Sequence, residues 1–352
     1  MISKESLDLA WINEISKKYR KADRILVEKV IMALILLEKL ADSGLDFIFK
    51  GGTSLMLMQK EPKRFSIDID IIVPQNTTFD SIFDKFLSDD GFFKYELQKR
   101  KTESLIQKYH YKFFYRSTIN NNRDDNILLD ILVENIEYEN IKELEVNSPF
   151  VKIQNNPVKV KVPSADDLLA DKLTAFAPNT TGIPYEKGGK SRSMEIIKQL
   201  YDIGNLFEDI ENIQAVRKVF NKMAAVEMKN RGIKEDIGKI HDDIKETALC
   251  LSTKGQSDGC YYDELVNGIS RVSAYIFSEK YDIEKAIVDA AKAAYCSKLI
   301  ETENSKPLKF GNHEQILKSE IKAPFNTKLN KLKKSNPEAF YYWYQIYILE
   351  IG

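Results

Sequence analysis

The sequence predicts an α+β protein in which a small mixed sheet, with its helices, precedes a mainly helical C-terminal part. Three observations carry that reading. A short apolar strand, FIFK, runs into the glycine turn GGTS and a helix, and the strand FSIDIDIIVP follows. The segments SLIQKYHYKFFYRSTI and NILLDILVE flank the turn-rich NNNRDDN, as in a hairpin. From about residue 212 onward, apolar residues recur at helical spacing almost without a break. A boundary is therefore expected near residue 210, separating a domain of residues 1–210 from a helical domain of residues 211–352.

Taken in order, residues 23–40 (DRILVEKVIMALILLEKL) place apolar side chains three and four apart and read as a mostly buried helix that stops at Ser43-Gly44. The strand FIFK, the helix GGTSLMLMQ and the strand closed by Pro74 come next, and residues 79–90 read as another helix. Between residues 94 and 123 there are eight basic residues against two acidic ones. Strand alternation there puts Lys108, His110, Lys112 and Arg116 on one side and Tyr109, Tyr111, Phe113 and Tyr115 on the other, with Asp130 in the returning arm. Ser164 and Asp167 stand at capping-box spacing at the start of a helix that carries Lys172. After the loop PNTTGIPYEKGGKSRS, a further helix contains Lys198 and Asp202. The helical remainder has polar breaks at residues 252–259 and 302–312 and ends in AFYYWYQIYIL. Nearly continuous apolar character marks that tail as a buried terminal helix rather than a platform for stacking bases.

Composition narrows the function. With 43% apolar and 30% charged residues the chain is expected to fold throughout. Lysine plus arginine (52) nearly cancels aspartate plus glutamate (53), so any nucleic-acid contact must use a local patch such as the basic strand face or residues 187–192. A solvated strand face and a loop are the plainer reading of both. Cys250, Cys260 and Cys296 show no CxxC spacing, which argues against disulfides and for a reducing cytosol; His110, His241 and His313 follow no metal spacing and are assigned ordinary surface or structural roles. No signal peptide or membrane span is legible, so a cytoplasmic protein without membrane contact is expected.

Two features carry chemistry. Asp68 and Asp70 stand at i and i+2 on a strand, share a face, and can hold one cation between them; the alternative is an edge strand with two solvated aspartates. Gly51, Gly52, Thr53 and Ser54 form a turn between strand and helix, where glycines admit a phosphate to the backbone and the helix N-terminus meets its charge. Such a turn can also merely close a helix onto a strand.

Together, strand, glycine turn, helix and DxD strand resemble the polymerase-β-like nucleotidyltransferases. The run KGGTSL, RFSIDID, DLLADKLTAF and KQLYDI, in that order, resembles the AbiEii-type toxins of type IV toxin-antitoxin and abortive-infection systems over roughly residues 25–210. The resemblance implies a polymerase-β-like core and magnesium or manganese at Asp68 and Asp70, with Asp130 as a third carboxylate from a neighbouring strand. It also implies a nucleoside triphosphate on residues 51–54 beside Arg64 and Ser66, and Lys172 and Asp202 as active-site residues from the following helices. Gln199 departs from the family pattern, where an acidic residue is usual, and the spacing from Gly52 to Asp68 exceeds it, which is read as a longer helix.

By themselves, Lys172 reads as a solvated lysine whose loss leaves stability unmoved, and Lys198 with Asp202 as a surface ion pair. The function expected is a metal-dependent nucleotidyltransferase toxin acting on a nucleic-acid end, tRNA above all, with a cognate antitoxin. The alternatives are transfer to a small molecule such as an antibiotic or to a protein hydroxyl, and an inactive nucleotide-binding protein.

Overall fold

The computed structural model describes residues 1–351 apart from 21, 75–77, 89–90, 99–106, 235, 258 and 304–305. By contact they form two units, Met1–Ser164 with Ala274–Lys280, and Ala165–Ser273 with Tyr281–Gly352.

In the first unit, α1 (Leu9–Lys18) and α2 (Arg24–Asp42) precede β1 (Ile48–Lys50), α3 (Gly51–Met58), β2 (Ile69–Val73), the short α4 (Asp80–Phe83) and β3 (Phe92–Leu97). The hairpin β4 (Gln107–Arg116) and β5 (Asp124–Val133) follows, then β6 (Ile141–Glu145) and β7 (Lys159–Pro163). These strands form one sheet in the order β3-β4-β5-β2-β1-β7-β6, mixed because β2 runs parallel to β5 and β1 parallel to β7. One face carries Ile69, Ile71, Ile127, Leu129 and Phe113 and packs on Val30, Ile31 and Leu34 of α2 in a single core. Asp23 starts α2 by accepting a hydrogen bond from the Ile25 N–H. Further along α2, the buried Glu28 accepts from Ser117 Oγ and the Thr118 N–H, both at 2.6 Å, which ties the helix to the β4–β5 turn. Tyr109, Tyr111, Phe113 and Tyr115 of β4 lie on the face opposite Lys108, His110, Lys112 and Arg116, as the alternation requires, while Phe114 joins the basic side.

Several details depart from the sequence expectation. The helix expected over residues 79–90 is one turn, α4, continued by a 3-10 turn at Asp84–Phe86; residues 89–90 lie outside the described residues, as do residues 104–106 at the start of the expected basic strand. The long interval before Asp68 is not a longer helix, because α3 ends at Met58 and an irregular segment containing Pro62 follows, a residue that cannot continue a helix. That segment is held by chain from far away: the Phe65 N–H donates to the Tyr275 carbonyl at 2.8 Å, and Phe277 packs on Phe65 with ring centroids 4.6 Å apart. Strands β3, β6 and β7 enlarge the sheet beyond the expected core. Edge strand β6 is mostly exposed and so lacks the apolar alternation that would announce it.

The second unit contains α5 (Ala165–Ala175), the small hairpin β8 (Glu186–Lys187) and β9 (Lys190–Ser191), α6 (Ser193–Glu208), α7 (Ile213–Asn230), α8 (Gly238–Ser252), α9 (Tyr262–Val272), α10 (Ile283–Glu301), α11 (Leu332–Ser335) and α12 (Pro337–Ile351). The composition change near residue 210 lies between α6 and α7. Helix α10 packs against α6, α8 and α12, and its alanines permit close approach. Helix α12 buries Phe340, Tyr342 and Trp343, whose indole N–H donates to Ser252 Oγ at 2.9 Å. The cysteine reading needs correction, because Cys250 at the end of α8 and Cys260 before α9 are disulfide-bonded with their Cα atoms 5.5 Å apart, while Cys296 is free and buried. The turn between the helices supplies the proximity that spacing did not reveal, so the cysteines no longer argue for a reducing compartment. Among the described residues no helix is long and apolar enough to cross a membrane.

Candidate active site

Strand β1 delivers the chain to a glycine pair whose neighbours explain why both positions lack a side chain. Gly51 has φ +81°, a left-handed conformation that glycine adopts without the usual penalty, and a Cβ there would lie 2.3 Å from Asp70 Oδ2. A Cβ on Gly52 would lie 2.6 Å from Arg64 Nη2 and 2.7 Å from Ser66 Oγ. The turn therefore lies directly against Asp70, Arg64 and Ser66, residues that stand up to nineteen positions from Gly51 in the sequence. Arg64 is buried and donates Nη1 to the Phe65 carbonyl at 2.9 Å.

Thr53 and Ser54 are buried and work on the turn itself. Thr53 Oγ1 donates to the Asp68 carbonyl at 2.5 Å, and Ser54 Oγ to the Gly51 carbonyl at 3.0 Å. The Thr53 hydroxyl thus fastens the DxD segment to the start of α3, and the Ser54 hydroxyl braces the first turn of that helix. The groups such a turn offers a phosphate are the amides of the first helical turn, which lack intrahelical acceptors.

Asp70 lies in a row of paired positions across four strands. Its register partners are Lys50 on β1 and Asp130 on β5, and Asp130 is in turn opposite His110 on β4. Paired positions project to one face, here the face opposite the α2 core, so two carboxylates stand between two basic side chains. Asp68, two residues before Asp70, precedes the ladder of β2. Asp130 Oδ1 is 2.7 Å from His110 Nδ1, with side-chain exposures of 33% and 13%. The donors Asp68, Asp70 and Asp130 are all hard oxygens, which suits a divalent cation such as Mg²⁺. Among the described residues, however, no three His, Cys, Asp or Glu side chains already converge as a metal cage.

The scattered spacing of the histidines assigns His110 an ordinary role. Counting the register outward from the turn after Arg116 would have found it, since Arg116 pairs with Asp124 and the sixth pair inward of that turn end joins residues on the face of Asp70. Lys50 opens the KGGTSL run, but the pairing that sets it opposite Asp70 is not legible in the sequence.

In the second unit, Lys172 on α5 and Asp202 on α6 form a buried ion pair with Nζ and Oδ2 3.0 Å apart. Neither is the solvated group that its local sequence suggests. Of the expected basic surface, Lys108 and Lys112 share the open face of β4 with His110, whereas Arg116 is paired with Asp124 and lies over the Phe93 ring at 4.6 Å. Lys187 and Lys190 are exposed around a turn of two left-handed glycines, Gly188 and Gly189. Arg192 reaches Glu195 at 3.1 Å.

A sequence profile described as "Nucleotidyl transferase AbiEii toxin, Type IV TA system" matches residues 35–256, an interval containing every residue assigned to the site. No curated protein matches the chain in sequence. Among solved structures, "MenT4, nucleotidyltransferase toxin Rv2826c from Mycobacterium tuberculosis H37Rv" is similar with a TM-score of 0.51 at 11% identity, over 94% of this chain and 98% of that one. That likeness concerns the fold. An antigenic nucleotidyltransferase-like protein from Paracoccidioides brasiliensis gives a TM-score of 0.34 at 15% identity, over 58% of this chain and 89% of that one, too low to argue from.

Proposed function

Because the chain belongs to the nucleotidyl transferase AbiEii toxin family and is a nucleotidyltransferase, we propose that it moves a nucleotide from a nucleoside triphosphate to a nucleic-acid end, the acceptor end of tRNA. The observation that carries this reading is the contact of the Gly51-Gly52 turn with Asp70, Arg64 and Ser66. It brings backbone amides, a guanidinium, a hydroxyl and a carboxylate together at one turn, the combination a triphosphate with its counter-cation requires.

In this reading Asp68 and Asp70 hold Mg²⁺, with Asp130 as the third carboxylate. When bound, the cation supplies charge neutralisation for the triphosphate. Arg64 and Ser66 donate to phosphate oxygens, and the turn fixes the triphosphate so that the acceptor hydroxyl attacks the α-phosphorus while pyrophosphate leaves on the opposite side. Lys172 and Asp202 join as active-site residues on the strength of the family motifs. The type IV family implies a cognate antitoxin, and a tRNA acceptor would be met in the cytoplasm.

The test is incubation of the purified protein with Mg²⁺, each labelled nucleoside triphosphate and total tRNA. Label should enter tRNA from one or more triphosphates. Chelation should stop it, and Asp68→Ala or Asp70→Ala should slow it by roughly a thousandfold without unfolding the protein. Transfer by either variant at the parent rate would remove the metal assignment. Label appearing only on protein or a small molecule would replace the acceptor.

A further inference from the structure

We propose that His110 is a positioning residue for the metal site: its Nδ1–H holds Oδ1 of Asp130 and so fixes the carboxylate that stands beside Asp70. The inference rests on the assignment of Asp70 and Asp130 to a cation. An ionised carboxylate only accepts hydrogen bonds, so at 2.7 Å the hydrogen lies on Nδ1. The ring is mostly buried and lies on the face opposite the α2 core, outside the apolar cluster. With Oδ1 engaged, Asp130 keeps its second oxygen for a cation.

The register gives the arrangement its consequence. Asp70 and Asp130 are adjacent across parallel strands, and like charges so placed repel. A free Asp130 would rotate away from Asp70, whereas one tethered to His110 is kept on the row. His110 is in turn fixed by the ten-residue pairing of β4 with β5, so the orientation of the carboxylate is inherited from the hairpin. Partners of this kind behind a ligand typically alter metal affinity or activity by about 10- to 100-fold.

The experiment compares His110→Asn, which retains a donor near the Nδ1 position, with His110→Phe, which fills the volume without one. Mn²⁺ alone, titrated by electron paramagnetic resonance, is the first readout. Nitrogen NMR of the metal-free parent, which reports the His110 tautomer, is the second. His110→Phe should weaken Mn²⁺ binding by about 10- to 100-fold, His110→Asn should recover most of it, and Asp130→Asn should change the His110 tautomer signal. Parent-like Mn²⁺ affinity in His110→Phe, or equal loss in both variants, would overturn the proposal. Asp70→Ala separates the two ideas. If it also binds Mn²⁺ like the parent, the metal assignment itself fails; if it alone loses Mn²⁺, only the role of His110 does.

Discussion

Lys172 and Asp202 meet at 3.0 Å with side chains only 5% and 3% exposed, an ion pair closed off from water between α5 and α6. Two charges so placed have lost their hydration and depend on each other. Removing one takes a close counter-charge from a buried group, at a cost of about 3–5 kcal/mol.

Lys172→Ala is therefore expected to be strongly destabilising, against the unchanged stability that a solvated lysine implied. Urea unfolding should show a loss of about 3–5 kcal/mol. The double variant Lys172→Met, Asp202→Leu should regain most of that stability, because apolar replacements of similar volume are often tolerated at buried pairs. It should not regain nucleotide transfer. A double variant with parent activity would reduce the pair to a structural element.

Gly51 and Gly44 both have left-handed backbones, but only Gly51 has a carboxylate where its Cβ would go, since nothing lies within 4 Å of the Gly44 position. Alanine at either site should cost about 1 kcal/mol or more from the backbone conformation alone. Gly51→Ala should in addition displace Asp70 and abolish transfer, while Gly44→Ala should transfer at the parent rate. Comparable activity in the two variants would show that the contact with Asp70 is unimportant.

His241 is buried against Phe220 and hydrogen-bonded to Ser297 Oγ at 2.8 Å, and burial holds its pKa below the ordinary 6.5. The unfolded chain then takes up this proton near pH 6.5 and the folded chain only at lower pH, so between those values the unfolded chain carries more protons. The contribution of this group is fully present above pH 6.5 and is lost as the pH falls toward the folded value. Urea midpoints at about pH 5 and about pH 7.5 should differ more for the parent than for His241→Gln. An equal difference would assign the acid sensitivity to other groups.

Charge reversal at Lys108, Lys112 and Lys190 should weaken tRNA binding and lower the slope of log affinity against log salt by about one per lost phosphate contact. Arg116→Glu alone should do less, because Arg116 already has a carboxylate partner in Asp124. Nucleotide binding should be unaffected. Unaltered salt dependence in the triple variant would leave these lysines as ordinary solvated surface.

The sequence by itself determined what repeats over short distances. The glycine turn at the start of α3, the two-sided hairpin and the apolar terminal helix α12 each follow from periods of two or three to four residues, or from turn chemistry in a few positions. Tertiary structure decided which of these pieces meet. Asp130 stands beside Asp70 because β5 pairs with β2, and His110 joins them because the hairpin register carries it there. Residues 63–65 are fastened by residues 275–277, and Cys250 reaches Cys260 across a turn, pairings that no local spacing announces. Burial of Lys172 with Asp202 is of the same kind. A lysine on a helix with acidic neighbours looks solvated until another helix covers it, and then desolvation makes a close carboxylate partner indispensable.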